Sequence, residues 1–219
     1  MWNGKNESRC SLKRSSAFAH RGHILLAREM ELSAPKFSPV AKQEEAKLFM
    51  FDLDNTLIHA CKTAHPEFHY FTIEIGGDTL FVHIRPGALD LLRYMLIEQD
   101  VLEFGIWTAG THPYARKIVD GLVETSGTTK YVSKIRIIQS RGTTKSYQNN
   151  LVKDLAVTAF LVDKKLENVF LVDDNPIHLP FNRNQILLIP PFHVYDKTDY
   201  STLRTIQTIL EHCATEATS

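Results

Sequence analysis

Three short apolar runs each end in a residue that carries a charge or a hydroxyl, and this recurrence limits the fold more than any other feature of the chain. Leu48-Phe49-Met50-Phe51 leads into Asp52-Leu53-Asp54-Asn55-Thr56. Phe104-Gly105-Ile106-Trp107 leads into Thr108-Ala109-Gly110, and Val169-Phe170-Leu171-Val172 leads into Asp173-Asp174-Asn175-Pro176. Runs of this length bounded by turn residues read as buried strands. Helical patterns lie between them, over Ala88–Glu98 with Leu89, Leu92 and Leu96 on one face, and from His112 to Val123. Alternating strands and helices predict a doubly wound, Rossmann-like parallel α/β sheet, whose strand ends are where ligands bind.

Each strand end has an ordinary reading and a chemical one. Asp52 and Asp54 could mark a turn, since Asp and Asn are common there. As neighbours at a strand end, however, two carboxylates repel unless a cation or proton stands between them. They therefore ask for a metal, and offer one nucleophile and one acid/base. Thr108 could be a helix N-cap; beside the free N–H groups of a strand-to-helix turn, its hydroxyl also suits a phosphate. The acidic turn Asp173-Asp174 repeats the geometry of the first motif. Oxygen ligands at two strand ends are what a hard cation such as Mg²⁺ requires. Lys153, in Leu151-Val152-Lys153-Asp154-Leu155, lies 20 residues before Asp173. It reads either as a surface lysine or as the cation that keeps the carboxylates ionised and neutralises a phosphate.

Taken together, Asp52-x-Asp54-x-Thr56, Trp107-Thr108-Ala109, Val152-Lys153-Asp154-Leu155 and Val172-Asp173-Asp174-Asn175-Pro176 resemble the haloacid-dehalogenase superfamily. Within it the chain is similar to the branch of small phosphatases acting on the C-terminal domain of RNA polymerase II. Arg85-Pro86-Gly87 and Tyr114-Ala115 belong to the match, which runs from about Ala46 to about Cys213. The resemblance implies a phosphatase working through an aspartyl-phosphate. Asp52 is the nucleophile and Asp54 the acid/base. Thr108 and Lys153 bind phosphate, and Tyr114 lies near the substrate groove. Mg²⁺ is held by Asp52, the Asp54 backbone carbonyl, Asp173 and Asp174, while Thr56 supports the loop.

The chain departs from this branch in three places. Asn55 stands where glutamate is frequent, Asp174 stands where close relatives have asparagine, and Val194-Tyr195-Asp196 replaces a tryptophan-containing segment. The first two leave the reaction intact. The third removes the basis for carrying polymerase-tail specificity over, so the expected substrate is a phosphoprotein, with Ser/Thr favoured over Tyr.

Between the first two motifs, Phe71, Ile73 and Ile75 alternate with polar residues, Gly76-Gly77-Asp78 makes a turn, and Leu80, Val82 and Ile84 alternate again. This predicts a β-hairpin insertion over residues 66–84. It stands where the superfamily carries its cap and is too small to close over a metabolite. Val132–Gln139 reads as a strand, Arg141–Asn150 as a polar loop, Ile186–Ile189 as a last core strand, and Tyr200–Cys213 as a terminal helix.

Basic and acidic residues balance at 25 each, which argues against a nucleic-acid partner. No apolar run reaches the length of a membrane span. Cys10, Cys61 and Cys213 show no metal spacing, pointing to a reducing compartment, cytoplasm or nucleus. A cysteine-dependent phosphatase centred on Cys61 is set aside, because Glu67 occupies the place of the arginine such a loop resembles. The expected organisation is an N-terminal extension over 1–45, a phosphatase domain over 46–214 and a tail over 215–219. The extension carries Lys5, Arg9, Lys13, Arg14, Arg21 and Arg28 against Glu7 in its first 28 residues. It reads as a flexible tail, with an organellar transit peptide as the alternative. Two rival functions remain: a small-molecule phosphatase of the same superfamily, and a non-catalytic binding module resembling a mitochondrial import receptor subunit.

Overall fold

Strand β1 (Leu48–Phe51) is buried on both faces, so its alternate side chains seed two cores. The computed structural model describes residues 46–195 and 201–218; the N-terminal extension expected over 1–45 lies outside the described residues. Phe49 and Phe51 enter one core and Leu48 and Met50 the other.

The remaining elements follow in chain order. Strands β2 (Ile58–Cys61), β3 (Tyr70–Ile75) and β4 (Asp78–Ile84) precede helix α1 (Ala88–Arg93), which ends in a π-helical turn over Tyr94–Glu98. Strand β5 (Glu103–Trp107), helix α2 (His112–Ser126) and strand β6 (Ile135–Gln139) come next. After them lie β7 (Lys145–Tyr147), β8 (Asn150–Val152) and α3 (Leu155–Val162). The chain continues with β9 (Val169–Asp173), α4 (Leu179–Asn182), β10 (Ile186–Leu188) and α5 (Thr202–Thr218).

Five strands form one all-parallel sheet in the order β10-β9-β1-β5-β6. Phe51, Phe104 and Val172 pack on one face with α1, α2 and α5, while Met50, Trp107 and Leu171 meet Leu155, Ala159 and Val162 of α3 on the other. Helices on both faces are the doubly wound arrangement expected from the sequence.

The predicted hairpin is present, turning at Gly76 (φ 60°) and Gly77 (φ 87°), left-handed conformations that favour glycine. It carries a third strand that the sequence reading missed, since β2 pairs antiparallel with β4. Ile73, Val82 and Ile84 continue the main core under this small sheet. The seat is tight, because a Cβ at Gly121 of α2 would overlap the Phe71 ring.

Four expectations about elements need correction. Residues 141–150 are no plain loop, because Lys145–Tyr147 pairs with Asn150–Val152 across Gln148 and Asn149, both at positive φ. The strand read over Val132–Gln139 begins only at Ile135, after a 3-10 turn over Thr129–Lys134. The helix read over Ala88–Glu98 keeps α geometry only to Arg93 before the π-helical turn, and Leu89 is only partly buried. The terminal helix passes Cys213 and the supposed tail boundary to reach Thr218, because Ala214 and Ala217 favour helix and His212 meets Glu216 one turn on, at 3.3 Å. Among the described residues, no helix is long and apolar enough to cross a membrane.

Candidate active site

Parallel pairing brings the carboxyl ends of β1, β5 and β9 together, and the three motifs with them. The Asp52 N–H donates to the Val172 carbonyl at 3.0 Å, so the chain leaving β1 is still held against β9. Asp52 is buried, as is Asp173, the last residue of β9. Lys153 follows β8 and is only 2% exposed; its Nζ donates to Asp52 Oδ1 and, at 2.7 Å, to Asp173 Oδ2. A lysine buried this deeply is no solvated surface residue. The second carboxylate oxygen of Asp173 accepts the Asn175 N–H at 2.8 Å, and Thr56 donates to Asp174 at 3.3 Å.

Charge does not balance in this deep half. Burial works against a charged Lys153, yet Asp52 and Asp173 overcome it and hold the ammonium protonated. Burial pushes the Asp52 carboxyl well up; Lys153 opposes that shift, and Asp173 and Asp54 add to it. Asp174 is also raised, by burial and then by Asp173. One ammonium cannot neutralise this cluster. Carboxylate oxygens of Asp52, Asp173 and Asp174 lie within 4.8 Å of one another. An all-oxygen set with surplus negative charge fits a hard divalent cation.

Asp54 faces the other way. Asn55, beside it, takes a left-handed turn (φ 62°), which Asn tolerates better than most residues. The loop is fixed by buried Arg85, whose Nη1 donates to the Thr56 carbonyl at 3.1 Å and whose Nη2 donates to that of Pro190 at 2.9 Å. Asp54 accepts from the Tyr114 hydroxyl at 2.5 Å and from the Thr108 hydroxyl at 3.1 Å. Thr108 in turn accepts the Gly110 N–H at 2.9 Å. Tyr114 can reach this position because Gly110 has no side chain: a Cβ there would sit 2.6 Å from the ring. Burial and the Asp54 charge both raise the Tyr114 phenol, so it stays protonated and donates. An open depression of about 500 Å³ begins at Asp54, walled by Ile75 and Gly76 of the hairpin, Thr111, Tyr114 and Arg141.

All the residues singled out in the sequence thus converge: Asp52, Lys153, Asp173 and Asp174 in the deep half, Asp54, Thr108 and Tyr114 in the shallow half. Sequence reasoning missed three others. Arg141 lies beyond the end of β6, where the strand-end rule could have found it. Its Nε donates to the Ala109 carbonyl at 2.9 Å. His178 and Asn182 are buried beside Lys153 and gave no local signal.

No curated protein matches the chain. Among solved structures, it resembles the fission yeast RNA polymerase II CTD phosphatase Fcp1 bound to beryllium fluoride, at 18% identity and a TM-score of 0.53, over 88% of this chain and 56% of that one. It also resembles a structure of Fcp1 described as an essential RNA polymerase II CTD phosphatase, at 19% identity and a TM-score of 0.52, over 88% and 54%. The chain spans little more than half the length of either, and at such identity the likeness speaks for the fold alone. A sequence model of the NLI interacting factor-like phosphatases covers residues 47–219, from the start of β1 through both acidic strand ends, and the chain belongs to that family.

Proposed function

We propose that this chain is a Mg²⁺-dependent phosphoprotein phosphatase, with Ser/Thr substrates favoured over Tyr, acting through an aspartyl-phosphate on Asp52. One observation carries the reading. Two carboxylates of a single loop occupy opposite environments, Asp52 buried against Lys153 and Asp54 bonded to hydroxyls at the mouth of a depression. A nucleophile needs the first setting and a proton carrier in contact with leaving group and water needs the second.

In this scheme an Asp52 carboxylate oxygen bonds to phosphorus as the bond from phosphorus to the substrate oxygen breaks. Asp54 gives its proton to that leaving oxygen, then takes one from the water that cleaves the acyl-phosphate. Thr108 and Lys153 hold the equatorial oxygens, where the transition state keeps its charge. Tyr114 lines the path of the substrate. Asp52, Asp173, Asp174 and the Asp54 carbonyl would hold the cation, which when bound offsets repulsion between carboxylate and phosphate. The open mouth and the short hairpin favour a protein side chain over a small metabolite that a lid must enclose. Cytoplasm or nucleus suits the free thiols of Cys61 and Cys213.

Two measurements test the reading. Activity on p-nitrophenyl phosphate should vanish in EDTA and return with Mg²⁺; full turnover in EDTA would overturn the metal requirement. Replacing residues 74–79 with a short Gly-containing turn should lower kcat/KM for phosphopeptides by about tenfold or more, and for p-nitrophenyl phosphate by no more than about twofold, because remote binding energy is used in the transition state. Equal losses in a folded, Mg²⁺-responsive variant would remove the support for a protein substrate.

A further inference from the structure

We infer that His178 is a positioning residue for the pair formed by Asp173 and Lys153, aiming the Asp173 carboxylate at the cation and fixing the backbone that delivers Lys153. The inference rests on the Mg²⁺-dependent reading above. His178 closes the turn Pro176–His178 that follows β9, and it is 3% exposed. Its Nδ1 accepts the Lys153 backbone N–H at 3.3 Å, which requires a lone pair on that nitrogen. The neutral ring therefore carries its proton on Nε2. That nitrogen lies 3.6 Å from Asp173 Oδ2, the same oxygen that accepts Lys153 Nζ at 2.7 Å.

Asn182 completes the frame. Its Nδ2 donates to the carbonyls of Lys153, at 2.7 Å, and His178, at 3.0 Å, while its Oδ1 accepts the Leu155 N–H at 3.0 Å. Strand end β8 and the turn after β9 are thus tied together through one imidazole and one amide. A leucine would fill the same buried space without the desolvation cost of a polar ring. The ring recovers part of that cost through the Lys153 N–H that Nδ1 accepts, while its Nε2 faces the other member of the pair. At 3.6 Å the contact with Asp173 is longer than a hydrogen bond while Lys153 occupies the oxygen. Once Lys153 turns its ammonium toward a phosphate, Oδ2 loses its nearest donor, and the His178 N–H is the next one facing it. Donors placed behind a metal-binding carboxylate in this way orient it and set its affinity.

The test compares His178→Asn with His178→Gln. The asparagine oxygen can replace Nδ1 but no atom of it reaches Asp173, whereas the glutamine amide extends to about the place of Nε2. Binding of Mn²⁺ to protein saturated with inorganic phosphate, read from the free-ion EPR signal against a protein-free phosphate blank, is measured beside Tm in EDTA and the Mg²⁺ dependence of p-nitrophenyl phosphate turnover. His178→Asn should keep its Tm within about 2 °C, bind Mn²⁺ roughly tenfold more weakly, and need correspondingly more Mg²⁺, while kcat at saturating Mg²⁺ falls less. His178→Gln should recover most of the affinity. Wild-type Mn²⁺ affinity in His178→Asn overturns the inference, and so does equal weakening in both folded variants. If the asparagine variant does not fold, a folded His178→Gln protein with lost Mn²⁺ affinity overturns it. A wild-type protein that binds no Mn²⁺ and turns over in EDTA defeats the metal-dependent reading, and the inference falls with it. A Mg²⁺-dependent wild type beside an unaltered His178→Asn defeats the inference alone.

Discussion

The deep half of the site and the shallow half differ in what balances charge. Around Asp52, burial is nearly complete and the compensating group is a cation, Lys153. Around Asp54, the partners are neutral hydroxyls, Thr108 and Tyr114, and the carboxylate borders an open depression. Only Leu53 separates the two acids. Chemically identical groups meet different surroundings because the strand end points one inward and the turn at Asn55 points the other outward. Environment, not residue type, separates the two roles proposed for them.

The largest test of this contrast is Asp52→Asn. Turnover of p-nitrophenyl phosphate should fall by about 10⁴-fold or more, since a neutral amide cannot attack phosphorus. Mass spectrometry must exclude deamidation back to aspartate. Beryllium fluoride with Mg²⁺ should stabilise the wild type and not the variant. Appreciable turnover by intact Asp52→Asn would sink the division of labour.

A smaller loss is expected in the shallow half. Asp54→Asn leaves the nucleophile and Lys153 in place, so turnover should drop by roughly 10²- to 10⁴-fold. With p-nitrophenyl phosphate, whose leaving group needs little protonation, a phosphorylated enzyme should accumulate after rapid quench. If none accumulates, Asp54 does not serve the second step.

The smallest effect is on stability. The folded Asp52 carboxyl titrates above its usual 3.8, so the folded state binds the proton more tightly than the unfolded chain. Without metal, stability should therefore decline as pH rises from about 4 through that elevated folded value. His83 and His178 act oppositely: burial lowers both, so their contribution is present above about pH 6.5 and is lost as pH falls. Subtracting one protein from the other cancels His83 and leaves the carboxyl together with the Lys153 ammonium it helps to hold. In EDTA, Asp52→Asn should melt a few degrees above wild type at neutral pH, with the gap closing toward pH 4. A wild type that melts higher at pH 7 would mean that Lys153 fully compensates Asp52.

Legibility in the sequence followed the range of the interactions. Core strands were readable because each is a short apolar run ending in a polar residue, and parallel pairing then had to bring their ends together. Strand β2 was not readable: Ile58-His59-Ala60-Cys61 becomes a strand by pairing with β4, where Ile58 opposes Ile84 and His59 opposes His83. The β7–β8 hairpin has little apolar patterning to announce it, and it turns at two non-glycine residues of positive φ. Lys153 stood out through resemblance, whereas its burial depends on residues far along the chain. His178 lies 25 residues from the lysine whose N–H it accepts, a separation that no local pattern reports.

Phe71 resting on Gly121 has a mechanical consequence. The hairpin supplies one wall of the depression through Ile75 and Gly76, and α2 supplies the opposite wall through its cap Thr111 and Tyr114. Because the ring packs on that backbone without an intervening side chain, this contact sets how closely the two walls approach, like the stop on a calliper. The aperture above Asp54 is thus gauged by a contact remote from the acids. A single methyl at Gly121 would act as a wedge and reset that gauge without touching any group that handles phosphate.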